Sequence, residues 1–430
     1  MRTLGRHISL FMRKFDSARE RGRWLRSFAE WKALQHGLPP ARQCRKTLLL
    51  IRLDDIGDYL LFRNQLRVYK NSSRWMDHKI TLLGNESWQD LFTLLDKDAV
   101  DDTMWVNKNR YFESADYRME IWKRLRENSF ETVIAPSRTR PLLVDDLCML
   151  AAAPLNSLGS ENTTVHASWS RVSDGLYTSL FKPSHALMHE FHFNAEFAEW
   201  ACGIRYSGNR PRIEHRFPRP VAGPYIICFV GASARSKRWP IKRWIEFIAL
   251  HRREYFSKIF LAGNSKAERE MVRIIQKRTG VDSIAGRVAL SELLHWVAGA
   301  DAVVTNDTMA AHMGASLGTP TVIIANGLNY MRFSEYLNAG IDRVATIYPE
   351  VFNRRRKRVG DGPYAHSETV TADIASIGAT TVIESLRGLF AGQPANPINE
   401  GAATDVVAPV DSEPQTHVDS SRAACARHRH

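Results

Sequence analysis

At 430 residues, 44% of them apolar, the chain exceeds what one hydrophobic core usually serves, so two domains with appendages are expected. Its net charge of +13 is unevenly spread: residues 1–46 hold 12 Lys and Arg against 3 Asp and Glu, so most of the excess sits in an N-terminal extension and says little about what the body binds. No stretch approaches the ~18–20 apolar residues of a membrane span, the first residues lack the apolar run and small-residue site of a signal peptide, and five cysteines without CxxC spacing suit free thiols in a cytoplasmic, reducing setting.

Residues 8–35 pattern as a basic amphipathic helix: Phe11 and Phe15 are one turn apart, Trp24, Phe28 and Trp31 follow at helical spacing, and Arg13, Arg19, Arg23 and Arg26 lie among them. Such a helix either rests on an anionic membrane surface or lays its aromatic side on the protein body. Gly37 to Pro40 ends it, and the extension is assigned to residues 1–45.

The body opens with the continuous apolar run Thr47 to Leu53, expected as a strand covered on both faces. After the turn Asp54 to Gly57 comes a helix from Asp58 to about Tyr69. The rhythm repeats: strand Lys79–Leu83, helix Ser87–Leu95, strand Ala99–Val106, helix Ala115–Asn128, strand Glu131–Ala135 and helix Val144–Ala152. Residues 154–184 read as polar and irregular, an inserted lid or ligand-facing loop, before a helix over His189–Cys202. This is a chain of βα units, a doubly wound α/β domain over 46–218.

A Pro- and Gly-rich junction, Pro211 to Pro224, precedes a second series. Its strands are expected at Tyr225–Val230, Lys258–Leu261, Ala302–Thr305 and Thr321–Ile324, and its helices at Pro240–Glu254, Lys266–Arg278, Ser291–Ala298 and Met309–Leu317. This second domain is assigned to 219–375, with a closing helix in 376–390 (Thr381 to Phe390) and a tail over 391–430 too poor in large apolar residues to fold. The basic run Arg354 to Arg358 is either a solvated face or a contact for an anionic partner. Ligands of such sheets sit at the strand C-termini, so both sets of strand ends are expected to face one cleft.

Three turns carry the candidate chemistry. In Val304–Met313 a strand stops and a helix starts at Asn306-Asp307-Thr308, leaving backbone N–H groups aimed at the sheet end, a phosphate site by geometry and dipole; Asp307 and Thr308 equally suit plain helix caps. His312 follows Thr308 by one turn on the same face. In Gly231–Pro240 a glycine-bearing loop holds Arg235, Lys237 and Arg238, which either stabilise a departing diphosphate or form a solvated basic turn. In Asp54–Asp58, Gly57 permits close backbone approach, and Asp58 at the helix start is placed to accept a hydroxyl proton, though such residues also serve as ordinary caps.

Together these segments resemble glycosyltransferase family 9, the lipopolysaccharide heptosyltransferases, from about Lys46 to Phe390. The matching stretches are LLLIRLDDIGDYLLFRNQL, MHEFHFNAEFAEWACGI, GASARSKRWPIKRWIEF and SIAGRVALSELLHWVAGADAVVTNDTMAAHMGASLGTPTVII. The resemblance implies a GT-B type fold, two Rossmann-like domains facing a cleft, and a metal-independent, cofactor-free, inverting transfer of a heptose or other sugar. The donor would be a nucleoside diphosphate sugar of the ADP-heptose kind, and the acceptor a lipopolysaccharide or related envelope glycolipid or oligosaccharide. It implies Asp58 as catalytic base, Ser233 and Lys237 as phosphate contacts, Gly57 beside them, and Asp307, Thr308, Met309 and His312 as the donor motif, in which Met309 stands where the family usually has glycine. Ile284 to Arg287 resembles the family's approach to the helix before that motif. It implies a cytoplasmic enzyme with no nucleic acid partner; residues 8–35 lie outside the resemblance, and with a lipid-borne acceptor they offer a peripheral contact with the inner membrane face as one of their two readings. Two other readings compete: a sugar-nucleotide epimerase or hydrolase of similar form, and a non-catalytic scaffold on membrane or RNA.

Overall fold

The computed structural model describes residues 29–33, 35–41, 44–140, 142–162, 167–185, 188–206, 208, 210–336, 341–359 and 371–392. Most of the expected N-terminal helix and nearly all of the expected tail lie outside them. Of the helix, residues 29–33 are described; Trp31 is buried edge-on against Trp122, with ring centroids 5.2 Å apart, and Glu30 pairs with Arg118 at 2.6 Å. This end of the segment lays its aromatic side on the body. Among the described residues no helix is long and apolar enough to cross a membrane.

The first lobe runs β1 (Thr47–Arg52), α1 (Ile56–Asn71), β2 (Lys79–Asn85), α2 (Gln89–Leu95), β3 (Asp102–Val106), α3 (Lys108–Glu113), α4 (Ala115–Asn128), β4 (Thr132–Ala135), α5 (Leu147–Ala152), β5 (Asn156–Ser160), α6 (Ala167–Asp174), β6 (Ser179–Phe181) and α7 (Glu190–Cys202). Its six strands are all parallel in the order β3-β2-β1-β4-β5-β6. The continuous apolar run has the expected cause: Leu48 and Leu50 join the layer of Leu60 and Phe62 on α1, while Leu49 and Ile51 join Trp122 and Leu147 on the other face.

The irregular loop expected over 154–184 is corrected by the structure, which places β5, α6 and β6 there as an orderly edge of the sheet. Hydrophobicity did not mark these strands because polar contacts and small residues bury them. Gly159 lies under the Tyr177 ring, where a Cβ would come within 2.9 Å of it. Fully buried Arg140 stacks on that ring at 4.4 Å and pairs with Asp174 at 2.6 Å, and Asp146 accepts from Ser173 (2.6 Å) and Tyr177 (2.9 Å).

The second lobe repeats the plan with β7 (Tyr225–Phe229), α8 (Ile241–Glu254), β8 (Lys258–Ala262), α9 (Lys266–Thr279), β9 (Asp282–Ser283), α10 (Leu290–Ala298), β10 (Ala302–Asn306), α11 (Met309–Leu317), β11 (Thr321–Ile324), β12 (Val344–Ile347), α12 (Glu350–Val359) and α13 (Ala379–Phe390). Its parallel order, β12-β11-β10-β7-β8-β9, is the first lobe's order again when counted from β7. Each lobe is therefore a doubly wound sheet whose direction of growth reverses between its first and fourth strands, β1/β4 and β7/β10. The basic run lies on α12, with Arg356 turned in over Tyr330, donating to its hydroxyl at 2.6 Å, and Arg354, Arg355, Lys357 and Arg358 exposed. One apolar cluster spans both lobes, joining Leu60 and Leu66 of α1 to Leu293 of α10 and to Ala310 and Met313 of α11.

Candidate active site at the two switch points

The turns after β1 and β10 meet. Gly57, in the first turn of α1, lies so close to α11 that a Cβ there would come 2.7 Å from His312 Cδ2 and 3.6 Å from the Met309 Cα. Asp58 follows it, half-buried at the start of α1. Its carboxyl is pushed up to about 7, chiefly by burial and then by Asp54, with Glu190 adding to the rise and Arg52 and Arg332 opposing it. A carboxyl balanced near neutrality beside a cleft is suited to proton transfer.

Beneath Asp58 lies a charged floor. Arg52, the last residue of β1, is fully buried: it pairs with Asp54 at 2.9 Å, donates to Pro136 O (2.7 Å) and Asn194 Oδ1 (3.2 Å), and stacks over Phe62 at 4.8 Å. Glu190, at the start of α7 and 1% exposed, has guanidinium nitrogens of Arg332, Arg138 and Arg52 at 2.9, 3.6 and 3.9 Å. Burial alone would raise its carboxyl, but these three cations together hold it near 2. Residue patterning did not single out Arg52, Arg138, Glu190 or Arg332. The one available signal was an arginine ending an otherwise apolar strand.

In the second lobe, the loops after β7 and β10 are fastened together. Asn306 is fully buried: its Oδ1 accepts from Trp239 N at 3.0 Å, and its Nδ2 donates to Val230 O and Gly231 O at 2.9 Å each. These contacts turn the Asn306 amide inward and fasten the two loops, leaving the phosphate grip expected of this turn to its backbone N–H groups. Lys237, 9% exposed, pairs with Asp307 at 3.1 Å, and Asn329 donates to the same carboxylate oxygen at 2.7 Å. Thr308 caps α11, accepting from Ala310 N at 3.4 Å. Ser233 is exposed on the loop, whose backbone Arg238 braces through Ala232 O (2.7 Å). His312 is buried, bonded through Nδ1 to the Tyr336 hydroxyl, and burial lowers it to about 4, so it is neutral at neutral pH.

Beside this junction opens a cavity of about 300 Å³ over the ends of β7, β8 and β9. Thr308 and Met309 form one wall, with Ile56 of the first lobe; Gly231, Gly263, Gly286 and Leu293 form much of the rest. Glu268 reaches into its rim while its carboxylate closes the capping box of α9, accepting from Asn264 N (3.0 Å) and Ser265 N (2.8 Å). A Cβ on Gly231 would come within 2.1 Å of that carboxylate, so the glycine is what admits it.

The structure thus brings Gly57, Met309 and His312 to one seam with Asp58 next to Gly57 in the chain, places Asp307 and Thr308 just before Met309 with Lys237 paired to Asp307, and leaves Ser233 exposed.

Comparison with known proteins adds an independent line. The model of glycosyltransferase family 9 (heptosyltransferase) matches residues 118–325. The chain is 27% identical to the lipopolysaccharide core heptosyltransferase OpsX of Haemophilus influenzae over 124 residues, 28% of this chain and 34% of that protein, so the match spans about a third of the relative's length. Among solved structures, E. coli heptosyltransferase WaaC with ADP superposes with a TM-score of 0.61 at 16% identity, covering 80% of this chain and 99% of that one. A family 9 glycosyl transferase from Veillonella parvula does so with 0.59 at 16% identity, covering 82% and 100%. At such identities these two show a shared fold.

Proposed function

Because the chain belongs to glycosyltransferase family 9, we propose that it moves a heptose or similar sugar from a nucleoside diphosphate donor to a saccharide acceptor of an envelope glycolipid, inverting the anomeric carbon. The observation that carries this reading is the seam itself: Gly57, next in the chain to Asp58 with its carboxyl pushed up to about 7, packs against the start of α11 at the opposite switch point, whose turn holds the pair of buried Lys237 and Asp307.

In this reading the nucleoside occupies the cavity of about 300 Å³. The diphosphate lies across the start of α11, where the N–H groups and helix dipole favour negative charge, within reach of Lys237. Asp58 accepts the proton of the acceptor hydroxyl as its oxygen bonds to the anomeric carbon, and the bond from that carbon to the diphosphate oxygen breaks on the opposite face. The electron pair leaves with the diphosphate, where Lys237 meets it. Asp307 aims Lys237, and neutral His312 serves as a wall and hydrogen-bonding group. Met309 narrows the cavity and bears on which donor fits. In this reading the reaction takes place at the cytoplasmic face of the inner membrane, and the part of residues 8–35 that precedes the docked Glu30 and Trp31 serves as the peripheral contact. The boundaries 1–45, 46–218, 219–375, 376–390 and 391–430 are kept as the working division of the chain.

The test has two arms. Calorimetry against a panel of nucleoside diphosphates should find one that binds wild type and Asp58→Asn alike, while transfer by Asp58→Asn is abolished. Absence of any nucleotide binding, or loss of donor affinity equal to the loss of transfer, refutes the reading. Donor turnover without acceptor would favour an epimerase or hydrolase.

A further inference from the structure

A second cavity, of about 570 Å³, opens along α1 and shares no lining residue with the one at the seam. Arg63 and Arg67, one helical turn apart, line it from α1, and Arg210 and Arg212 line it from the linker between the lobes. Arg67 stands well beyond Asp58 on the helix, about 14 Å along its axis at ~1.5 Å per residue. The linker wall is fixed by backbone hydrogen bonds. Asn64 Nδ2 donates to Arg212 O at 3.0 Å, and Arg212 N donates back to Asn64 Oδ1 at 3.1 Å. The next residue, Ile213, donates its N–H to Ser316 O of α11 at 2.9 Å. Arg212 therefore sits on backbone tied to both lobes, with Arg210 just before it.

Two of these arginines are already compensated. Arg63 is buried and meets both oxygens of Asp96 at 2.8 Å, and Arg212 has Glu214, the one acid in the cavity lining, at 3.6 Å. Arg67 and Arg210 are exposed, and their side chains have no ion-pair or hydrogen-bond partner among the described residues. Unpaired cations around one concavity repel each other and draw in an anion, and the planar fork of a guanidinium matches the oxygens of a phosphate. Leu94, Leu95 and the Tyr206 ring supply an apolar stretch of the same wall, and the volume is that of a small-molecule site rather than of a bare ion. We propose that this cavity binds a phosphomonoester, with the phosphate held by Arg67 and Arg210 and the organic body lying against Tyr206 and the two leucines. A phosphomonoester carries about −1.5 to −2 at pH 7, which balances the two unpaired guanidiniums one for one. This site is separate from the transfer site and does not depend on Asp58 or on the donor. The same head group occurs on a soluble sugar phosphate and on a phosphate-headed lipid.

The experiment uses the full chain at low salt and has two arms. Equilibrium dialysis against glucose 6-phosphate reads the soluble source, and co-sedimentation with phosphatidylcholine vesicles, with and without phosphatidic acid, reads the lipid source. Arg67→Gln and Arg210→Gln should each lower the affinity about tenfold or more, the value of a hydrogen bond to a charged group. Both side chains are exposed and unpartnered, so these variants should fold as wild type does. Lys237→Ala should keep the binding, which separates this site from the phosphate grip proposed at the seam. Binding in the dialysis arm that the two arginine variants lose and Lys237→Ala retains identifies a soluble phosphomonoester. The same pattern in the vesicle arm alone identifies a lipid headgroup, the phosphatidic acid-dependent part being the quantity compared. No binding in either arm, binding unchanged in both arginine variants, or binding lost in Lys237→Ala overturns the proposal.

Discussion

Replacing Asn306 by Ala removes the fastening between the two loops of the second lobe's switch point. The side chain accepts one backbone N–H, from Trp239, and supplies both its amide hydrogens to the carbonyls of Val230 and Gly231, all at 2.9–3.0 Å. Asn306, Val230, Gly231 and Trp239 are all buried. A buried polar group left without a partner costs about 1–3 kcal/mol, and three would cost up to roughly 9 kcal/mol if nothing adjusted. Water entering the vacated space recovers part of this, so a loss of about 3–5 kcal/mol is expected. Equilibrium urea denaturation, followed by tryptophan fluorescence and by circular dichroism, measures it. The same change frees the loop that carries Lys237, so nucleoside diphosphate affinity in the folded variant should fall as well. A stability loss below about 1 kcal/mol would refute the hydrogen-bond accounting. Full stability loss with unchanged nucleotide affinity would refute the claim that this fastening positions Lys237.

Lys237→Ala should weaken nucleoside diphosphate binding by about 10- to 100-fold, the value of a hydrogen bond to a charged group, and unchanged affinity in calorimetry removes Lys237 from the phosphate site. The transfer rate should fall on the acid side of about pH 7 as Asp58 is protonated; a profile flat from pH 6 to 8 contradicts the base assignment. Because folding raises the Asp58 pKa, the folded state holds more protons than the unfolded one between about 4 and 7, so this group's contribution lowers stability as pH rises through that window. Asp58→Asn should flatten that part of the stability profile. Glu190 acts in the opposite sense: its depressed pKa makes its pairing stabilising above the ordinary carboxylate range and loses that stability as pH falls toward about 2. Gly57→Ala would drive a Cβ to within 2.7 Å of the His312 ring, which Tyr336 holds from behind; overpacking of about 1–3 kcal/mol is expected. A variant with wild-type melting temperature and transfer rate would mean that the ring moves aside.

Much of the candidate site was legible in the chain because its pieces are local. A strand-to-helix turn announces itself by an apolar run, a glycine or capping residue and a helical period, so Asp58, Lys237 and Asp307 could be placed at strand ends from neighbours alone. The partners that govern them are remote: Glu190 lies more than a hundred residues from Asp58 and from Arg332. Asn306 shows the limit from the other side, since its position beside Asp307 was legible and its orientation was not. Only the surrounding carbonyls of another loop decide that an asparagine amide turns inward.

The sequence by itself determined the repeated βα rhythm and the three strand-to-helix turns, because hydrophobic periodicity and turn chemistry act over a few residues. It misjudged 154–184, where buried polar contacts join only a few apolar side chains, such as Leu158 and Phe181, in holding the edge strands, and it passed over the two-residue strand β9 and the short edge strand β12. What the tertiary structure alone decided is the electrostatic state of the site: burial of Asp58, the three guanidiniums around Glu190, and the meeting of Gly57 with His312. Coulomb interactions and desolvation depend on distance in space and on the medium between the charges, and a chain written in order contains neither until it folds.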